Sequence, residues 1–304
     1  MQYQDEYRTS IDAKEEFWRE KSKDLPWIKE PTQTLTVRAD GFPSWFDGGL
    51  LNTSYACLDH HVDAGRGDQQ ALIYDSPVTN TIETYSYSEL LNRVARVAGS
   101  LQKLGVIQGA VVIIYMPMIP EAVISMLACA RIGAIHSVVF GGFAPEELCL
   151  RLDDAKPDVI LSASCGIEIE RIIPYQPLIR EALRLAKHRP KAVVIKSRKE
   201  MPTLELSLTE LDWDLWEEDT GPIDCVPLPA SHPLYILYTS GTTGQPKGIV
   251  RDTGGHAVAL RYSMKAIYDV QEGDVFWAAS DVGWVVGHSY IVYGPLLAGC
   301  TTVL

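Results

Sequence analysis

The 304-residue sequence predicts an α/β fold built from layered, mostly parallel sheets that are covered by helices. Short, continuous apolar runs alternate with amphipathic segments of helical spacing between residues 85 and 196. Strands that are apolar throughout are typical of sheets buried on both faces, as parallel sheets are. A hydrophobic share of 46% and a charged share of 22% agree with a chain that builds a sizeable core.

The first 60 residues are rich in aromatic side chains and poor in regular patterns. One short helix is predicted at 11–23, and tryptophan-bearing turns follow it. We therefore predict that 1–60 form a strap that packs on a larger unit made of 61–304.

Start and stop signals define the helices and strands of the larger unit. Ser86 and Glu89 have the spacing of a capping box, and Gly105 ends the helix that they begin. Proline in the first turn predicts the next two helices, which begin at Pro120 and Pro145. Helices are predicted at 86–104, 120–133, 145–156, 177–187 and 253–268. Strands are predicted at 110–115, 135–140, 159–164, 191–196, 275–279 and 301–304.

Residues 197–233 interrupt the alternation of strands and helices. The segment contains the acidic run LDWDLWEEDT and four later prolines. We interpret it as an excursion on the surface, with its acidic residues in solvent.

Composition excludes several classes of function. A net charge of −12 argues against a nucleic-acid platform or a protein that binds anionic membranes. The most apolar stretch, 110–130, is broken by prolines and a glutamate and is not a spanning helix. The six cysteines are dispersed without a CxxC pair, which indicates reduced thiols and a cytoplasmic protein. No cluster has the spacing of metal ligands, so no metal site is predicted.

The stretch TSGTTGQPKG, residues 239–248, has a composition that suits phosphate binding. Its glycines let the backbone approach a ligand, its hydroxyls and amides can donate to phosphate oxygens, and Lys247 adds a positive charge. The stretch is not a Walker A motif, because Gly248 rather than Ser or Thr follows the lysine. The alternative is a polar hairpin loop with a surface lysine.

YTSGTTGQPKG resembles the phosphate-loop signature of the adenylate-forming enzymes. Three further stretches, SDVGWVVGHSYIVYGPLLAG, VVFGGFAPEEL and WFDGGLLN, are similar to those of the short-chain acyl-CoA synthetases, and the resemblance extends over essentially the whole chain. It implies the large domain of an adenylate-forming enzyme and a ligase that uses ATP, Mg²⁺ and CoA.

The resemblance also implies roles for individual residues. The predicted contacts to the ATP phosphates are Thr239, Ser240, Gly241, Thr242, Thr243, Gly244 and Lys247, with Thr239 and Lys247 expected to act in catalysis. The predicted CoA contacts are Gly141, Gly142 and Arg171, and the predicted acyl pocket and CoA tunnel contain Trp284, Val285 and Val286.

For two residues the sequence allows an alternative interpretation, and at a third it departs from the pattern of the family. Trp284 taken on its own is more typical of core packing, whereas the resemblance places it beside the acyl pocket and CoA tunnel. His288 is interpreted as a buried histidine with a backbone partner rather than as a base. Glu168 stands where acetyl-CoA synthetases often have arginine. Its carboxylate would repel the phosphates of CoA, so CoA binding entirely like that of acetyl-CoA synthetases is not expected.

Two details favour propionyl-CoA synthetase within the family. GIVRDTGGHAVAL follows the loop, and Val286 stands where acetyl-CoA synthetases usually have threonine. A more apolar wall favours the acid with one more methylene, worth about 0.8 kcal/mol when buried. Acetate remains the alternative acid.

The resemblance implies two half-reactions. The carboxylate attacks the α-phosphate of Mg·ATP to give an acyl-adenylate and pyrophosphate, and the CoA thiol then displaces AMP. The ribose-binding aspartate and the mobile C-terminal domain of such enzymes have no counterpart up to Leu304. We therefore expect 61–304 to be the first part of the AMP-binding domain, inactive without the C-terminal half of the same enzyme. The alternative is a non-catalytic protein that binds nucleotide or CoA.

Overall fold

The computed structural model of the protein describes residues 3–168, 171–239 and 246–304. Its helices are α1 Tyr3–Asp12, α2 Lys14–Ser22, α3 Tyr87–Lys103, α4 Pro120–Ile132, α5 Pro145–Ala155, α6 Tyr175–Leu185, α7 Trp213–Glu218, α8 Thr253–Ala266, α9 Val285–Gly287 and α10 Gly294–Leu297. Wider π-helical turns cover Tyr55–Asp59, Val62–Arg66 and His288–Tyr293.

The strands are β1 Gln33–Val37, β2 Pro43–Asp47, β3 Leu50–Leu51, β4 Gln70–Ser76, β5 Thr81–Ser86, β6 Val111–Tyr115, β7 Ile135–Val138, β8 Val159–Ala163, β9 Cys165–Glu168, β10 Arg171–Pro174, β11 Ala192–Lys196, β12 Glu210–Asp212, β13 Leu228–Pro229, β14 Pro233–Thr239, β15 Lys247–Asp252, β16 Val275–Trp277 and β17 Thr301–Val303.

The main sheet confirms the predicted α/β class. Within the described residues it has seven strands in the order β12-β11-β8-β6-β7-β14-β15. Every neighbouring pair is parallel except β14 and β15, which form an antiparallel hairpin at one edge. A second sheet, in the order β16-β17-β4-β5, contains the predicted strand near the end of the chain. No helix of the described part has the length and apolar character needed to cross a membrane.

Alternate residues of each strand point to opposite faces of the main sheet. Because both sets are apolar in these strands, helices cover both faces. Ile114 of β6 belongs to the core that contains α3 and α4, whereas Ile113 belongs to the core that contains α5 and α6. The helix that follows β6, α4, therefore lies on one face of the sheet, and the helix that follows β7, α5, lies on the other face. Crevices at such points, beside the carboxyl ends of the strands, are the usual ligand sites of open α/β sheets.

Local signals define α3 and α4 as predicted. The Ser86 hydroxyl accepts from the backbone N–H of Glu89, whose carboxylate accepts from the Ser86 N–H. Pro120 begins α4, and Gly133 ends it at φ +71°. A Cβ at Gly133 would lie 2.7 Å from Cδ2 of Leu228, so both the conformation and the space require glycine there.

The predicted single N-terminal helix is wrong in extent. Two helices, α1 and α2, occur there, and the β1–β2 hairpin follows them. In α1 no residue is buried, so it lacks the apolar stripe on which the prediction of helices depended.

The interpretation of 197–233 as a surface excursion is also wrong in part. β12 pairs in parallel with β11 at the edge of the main sheet, and Trp213 of α7 is fully buried. The Trp213 indole N–H donates to the Glu217 carboxylate, which also accepts two hydrogen bonds from Arg93. An acidic run is therefore compatible with a packed helix, because the half-buried Arg93 neutralises the inward-facing carboxylate of Glu217.

Candidate functional site

The predicted phosphate loop is carried by the β14–β15 hairpin. Thr239, the last residue of β14, pairs directly with Lys247, the first residue of β15, and both are exposed. Ser240, Gly241, Thr242, Thr243 and Gly244 lie outside the described residues. Because β14 runs parallel to β7, Thr239 and Lys247 lie at the edge of the sheet where the parallel strands end.

Helix α5 supports the base of this loop. The Tyr238 hydroxyl donates to the carboxylate of Asp154, and the Arg151 guanidinium lies 5.5 Å from the centre of the Tyr238 ring. Burial and the Asp154 carboxylate raise the pKa of Tyr238, so its hydroxyl stays protonated. Since α5 follows the Gly141–Gly142 turn, it joins the base of the loop to the predicted CoA contacts.

A cavity of about 200 Å³ opens at the same edge of the sheet. Its lining includes residues that follow four parallel strands: Met118 after β6, Gly141 after β7, Glu168 after β8 and Arg198 after β11. The cavity therefore occupies the crevice where the chain leaves β6 and β7 toward opposite faces.

The Tyr175 side chain explains why glycine occurs at two positions beside this cavity. A Cβ would lie 2.1 Å from the Tyr175 hydroxyl oxygen at Gly141 and 2.2 Å from it at Gly166. The hydroxyl thus fills the space that a larger residue needs. Sequence reasoning did not select Tyr175, because a lone tyrosine in the first turn of a helix gives no sign of such packing.

Glu168 lies among the three predicted CoA contacts. Gly142 has φ +106°, and a Cβ there would lie 2.8 Å from Oε1 of Glu168. Glu168 pairs with the exposed Arg171 across the β9–β10 hairpin. The structure therefore brings Gly141, Gly142 and Arg171 into one region, and it places a carboxylate there as well.

The segment that begins with Trp284 reaches the same turn. The Trp284 and Phe140 ring centres are 6.0 Å apart. Trp284, Val285 and Val286 are 50%, 43% and 46% exposed, so the described residues leave their side chains on an open surface. That exposure argues against the alternative of core packing for Trp284.

Asp281 is a second residue of this site that sequence reasoning did not select. Its carboxylate lines the 200 Å³ cavity and accepts a hydrogen bond from the Gly283 N–H at 2.7 Å. Burial raises the pKa of Asp281, and the Gly283 N–H opposes that shift. The aspartate thus orders the backbone that presents Trp284.

His288 is buried, as predicted. Its Nδ1 and its backbone N–H both face the Trp284 carbonyl oxygen, at 3.1 and 3.0 Å. Burial lowers its pKa to about 4, so the ring is neutral at pH 7. A backbone partner and complete burial agree with a structural role in holding the turn at Trp284.

A cluster of buried aromatic and histidine rings surrounds His288. Its members are His136, Tyr235, His256, His288 and Tyr293. Tyr235 stands 4.6 Å from His288 and 5.3 Å from His256, between ring centres. His136 Nε2 and the Tyr293 hydroxyl are 2.5 Å apart. We call this set the histidine cluster.

Acid is expected to destabilise the fold through the histidine cluster. Burial lowers the pKa of His256 to about 3 and of His288 to about 4, and places that of His136 well below 6.5. Below pH 6.5 the unfolded chain binds more protons than the folded one, so the free energy of unfolding falls as the pH drops from 6.5 toward 4. Each histidine contributes a slope of about 1.4 kcal/mol per pH unit inside that window and none above it.

Urea unfolding between pH 4 and 8 measures this slope. His256→Gln removes one titrating ring, and its slope between pH 4 and 6.5 should be smaller by about 1.4 kcal/mol per pH unit. Equal slopes in the variant and the parent would contradict the assignment.

No group of three or more His, Cys, Asp or Glu residues suited to a metal ion occurs in 3–168, 171–239 and 246–304. The charged residues that line the cavity are Glu168, Arg198 and Asp281, and Arg198 is paired with Glu200 at 3.6 Å.

Two family models match the chain. The model described as AMP-binding enzyme matches residues 58–304, and the model described as acetyl-coenzyme A synthetase N-terminus matches residues 3–57. Together these matches cover nearly the whole chain.

Named relatives point to one branch of that family. The chain is 53% identical over 304 residues to the mouse (Mus musculus) acyl-CoA synthetase short-chain family member 3, mitochondrial. The aligned region covers all of this chain and 45% of that protein. It is 44% identical over 306 residues to the propionate–CoA ligase of Salmonella typhimurium. That aligned region covers all of this chain and 49% of the ligase.

A solved structure agrees with the sequence matches. The acetoacetyl-CoA synthetase of Streptomyces lividans superposes with a TM-score of 0.88 at 28% identity, over 98% of this chain and 45% of that one. The chain thus spans about half the length of the relatives it matches. On these matches the chain belongs to the AMP-binding enzyme family, and its relatives there are short-chain acyl-CoA synthetases.

Proposed function

We propose that this chain supplies the phosphate loop, the CoA turn and part of the acyl pocket of an ATP-dependent short-chain carboxylate–CoA ligase. The ligase uses Mg·ATP and CoA, forms an acyl-adenylate and releases AMP and pyrophosphate. The observation that carries the proposal is that β7 and β14 are parallel neighbours. Both predicted sites, the Gly141–Gly142 turn and the Thr239–Lys247 loop base, follow the same ends of these strands.

The chemistry asks mainly for positioning and neutralisation of charge. Lys247 stands at the base of the loop, where its ammonium group can meet the β- and γ-phosphates and the departing pyrophosphate. Thr239, directly opposite, offers a hydroxyl to the same phosphates. No general base is needed for the first step, since the carboxylic acid is already ionised at pH 7.

The second step brings CoA to the adenylate from the side of the Gly141–Gly142 turn. Gly141 and Gly142 are half-buried beside the cavity, and Arg171 and Arg198 provide positive charge nearby. Glu168 opposes polyphosphate binding at the same place. We propose that Arg171, the cross-strand neighbour of Glu168, offsets that carboxylate and contacts the phosphates of CoA.

Propionate is the proposed acid, with acetate as the rival. The name of the Salmonella relative and the apolar Val286 support propionate, whereas the match of the N-terminal segment to an acetyl-CoA synthetase model supports acetate. Acyl-CoA formation with acetate, propionate and butyrate, compared side by side in a protein of the relatives' full length, decides between them.

Val286→Thr is expected to shift the preference toward acetate. The change replaces a methyl group by a hydroxyl, so kcat/KM for propionate relative to acetate should fall by about fourfold, the value of one buried methylene. Val275→Thr, at a more exposed valine in β16 (62% against 46% for Val286), is the control and should leave the ratio unchanged. A parent enzyme that already prefers acetate would refute the role given to Val286.

The chain on its own is expected to be inactive, because it corresponds to less than half of the length of its named relatives. ATP–pyrophosphate exchange with propionate should be undetectable for residues 1–304 and measurable for the longer protein. Exchange by the 304-residue chain would overturn this expectation. Absence of exchange in the longer protein as well would favour the non-catalytic nucleotide- or CoA-binding alternative.

The cellular compartment stays a prediction from the cysteine pattern. We propose a cytoplasmic location, although the mouse relative is described as mitochondrial. Fractionation of cells that express the natural protein tests it.

A further inference from the structure

A second and larger cavity, of about 440 Å³, lies between the N-terminal segment and helix α8. We call it the strap cavity. On the N-terminal side it is lined by Trp18 of α2 and by Trp45 and Phe46 of β2. Its volume falls in the range of small-molecule sites, which occur preferentially between structural units.

The strap cavity is separate from the candidate ligase site. Arg251, which lines it, pairs with Tyr235 on the β14–β15 hairpin, four residues before Thr239. At 3.3 Å per residue this separation is about 13 Å along β14. It runs toward the start of the strand, away from the end that carries the phosphate loop. None of the described residues predicted to contact ATP, CoA or the acyl group is among its lining residues.

The aromatic part of the strap cavity's walls is fixed by edge contacts. The Trp18 and Trp45 ring centres are 6.3 Å apart with the rings steeply inclined, and Trp18 also packs at 5.6 Å against Tyr262. Leu260 and Ala259 of α8 complete the apolar surface. Such walls accept a planar aromatic ring through stacking and edge contacts.

One positive charge stands at this cavity without a carboxylate partner. Arg251 is exposed, and the ion pairs found in the described part of the chain do not include it. Its neighbour Asp252 is engaged as the N-cap of α8, where its carboxylate accepts from the His256 N–H. Asp252 lines the cavity as well and offsets part of the Arg251 charge, so the site suits a ligand with at most one negative charge, held by a direct contact to the guanidinium, rather than a polyphosphate.

His256 supplies a further polar group at this wall. It lines the strap cavity, it is more than nine-tenths buried, and its Nδ1 has no hydrogen-bond partner among the described residues. An unpartnered buried ring nitrogen costs free energy, which a ligand atom or a water molecule can recover.

We propose that the strap cavity is a binding site for a small aromatic monocarboxylate, distinct from the ligase site. The ring lies against Trp18, Trp45 and Leu260, and the carboxylate pairs with the Arg251 guanidinium. This assignment depends on the cavity, its aromatic walls and the exposed Arg251 guanidinium, and it holds whichever acid the ligase activates.

Isothermal titration calorimetry with 3-phenylpropionate as the probe tests the proposal, with the uncharged 3-phenylpropanamide as the comparison. Saturable binding of the acid at one site is expected, with the amide roughly 10- to 100-fold weaker because it lacks the charge that Arg251 pairs with. Equal binding of acid and amide, or no saturation by about 10 mM acid, overturns the proposal.

Substitutions at Ala259 locate the site. Ala259 is exposed on α8 and lines the cavity, and Glu and Gln are both good helix formers of nearly equal size. Ala259→Glu should weaken binding of the acid at least about fivefold more than Ala259→Gln, since only the glutamate repels it.

Arginine substitutions complete the test. Arg251→Gln should weaken binding by roughly 10-fold or more, whereas Arg38→Gln, an exposed arginine just beyond β1, should leave it unchanged. Binding that is insensitive to both Arg251→Gln and Ala259→Glu would mean that the probe occupies another site, such as the acyl pocket, and would overturn the assignment.

Discussion

Lys247→Ala is expected to slow acyl-adenylate formation by about 100- to 1,000-fold in a protein of the relatives' full length. The substitution removes a positive charge that meets the leaving pyrophosphate, and losing one such electrostatic contact in a transition state has effects of this size. Binding of the carboxylic acid should change little, because the lysine stands at the base of the phosphate loop and not beside Val286. ATP–pyrophosphate exchange and single-turnover formation of the adenylate measure the effect.

A matched control separates the loss of this charge from a general loss of positive charge. Lys29→Ala changes an exposed lysine of the N-terminal segment and should leave the rate of adenylation as it was. Lys247→Arg keeps the charge and should recover part of the rate. An unchanged rate in Lys247→Ala would contradict the proposed contact between Lys247 and the ATP phosphates. It would not affect the description of the fold.

Arg131→Ala is expected to reduce the free energy of unfolding by about 3 kcal/mol, the low end of the cost of removing one partner of a buried ion pair, because the Asp59 side chain is 17% exposed. Arg131 is 4% exposed in its side chain and holds Asp59 with two hydrogen bonds of 2.8 and 2.9 Å. Its Nε also donates to the Ile223 carbonyl oxygen at 2.6 Å. The one guanidinium thus ties α4 to the turn Tyr55–Asp59 and to the proline-rich stretch before β14.

Urea denaturation followed by circular dichroism measures this loss. Arg184→Ala, which breaks an exposed pair with Glu181 on α6, is the control and should have no measurable effect, since exposed ion pairs contribute little. Arg131→Ala/Asp59→Ala removes both charges and should recover part of the stability. A loss below about 1 kcal/mol in Arg131→Ala would show that solvent already screens the pair.

Helices and strands of the main sheet were predictable because their signals are local. The capping box at Ser86, the first-turn proline at Pro120 and the apolar run of β6 each act within a few residues. The phosphate-loop signature was recognisable for the same reason. Strand β15, rather than a helix, continues from it.

The errors arose where burial depends on distant residues. The run that contains Trp213 and Glu217 is acidic by composition, yet it packs inward because Arg93, more than a hundred residues earlier, pairs with it. Tyr175 was not selected for a similar reason. Its role depends on Gly141, which is far from it along the chain, so nothing in the local sequence indicates the contact.

By itself the sequence determined the α/β class, the positions of most helices and strands in the main sheet, and the chemical character of the loop at 239–248. Periodicity, capping and turn residues are properties of neighbouring positions, so they are legible without coordinates. Only the tertiary structure decided the order of the strands, which brings the Gly141 turn and Lys247 to one edge of the sheet. It alone also formed the histidine cluster and the strap cavity, because each joins segments that only the packing of the whole chain brings into contact.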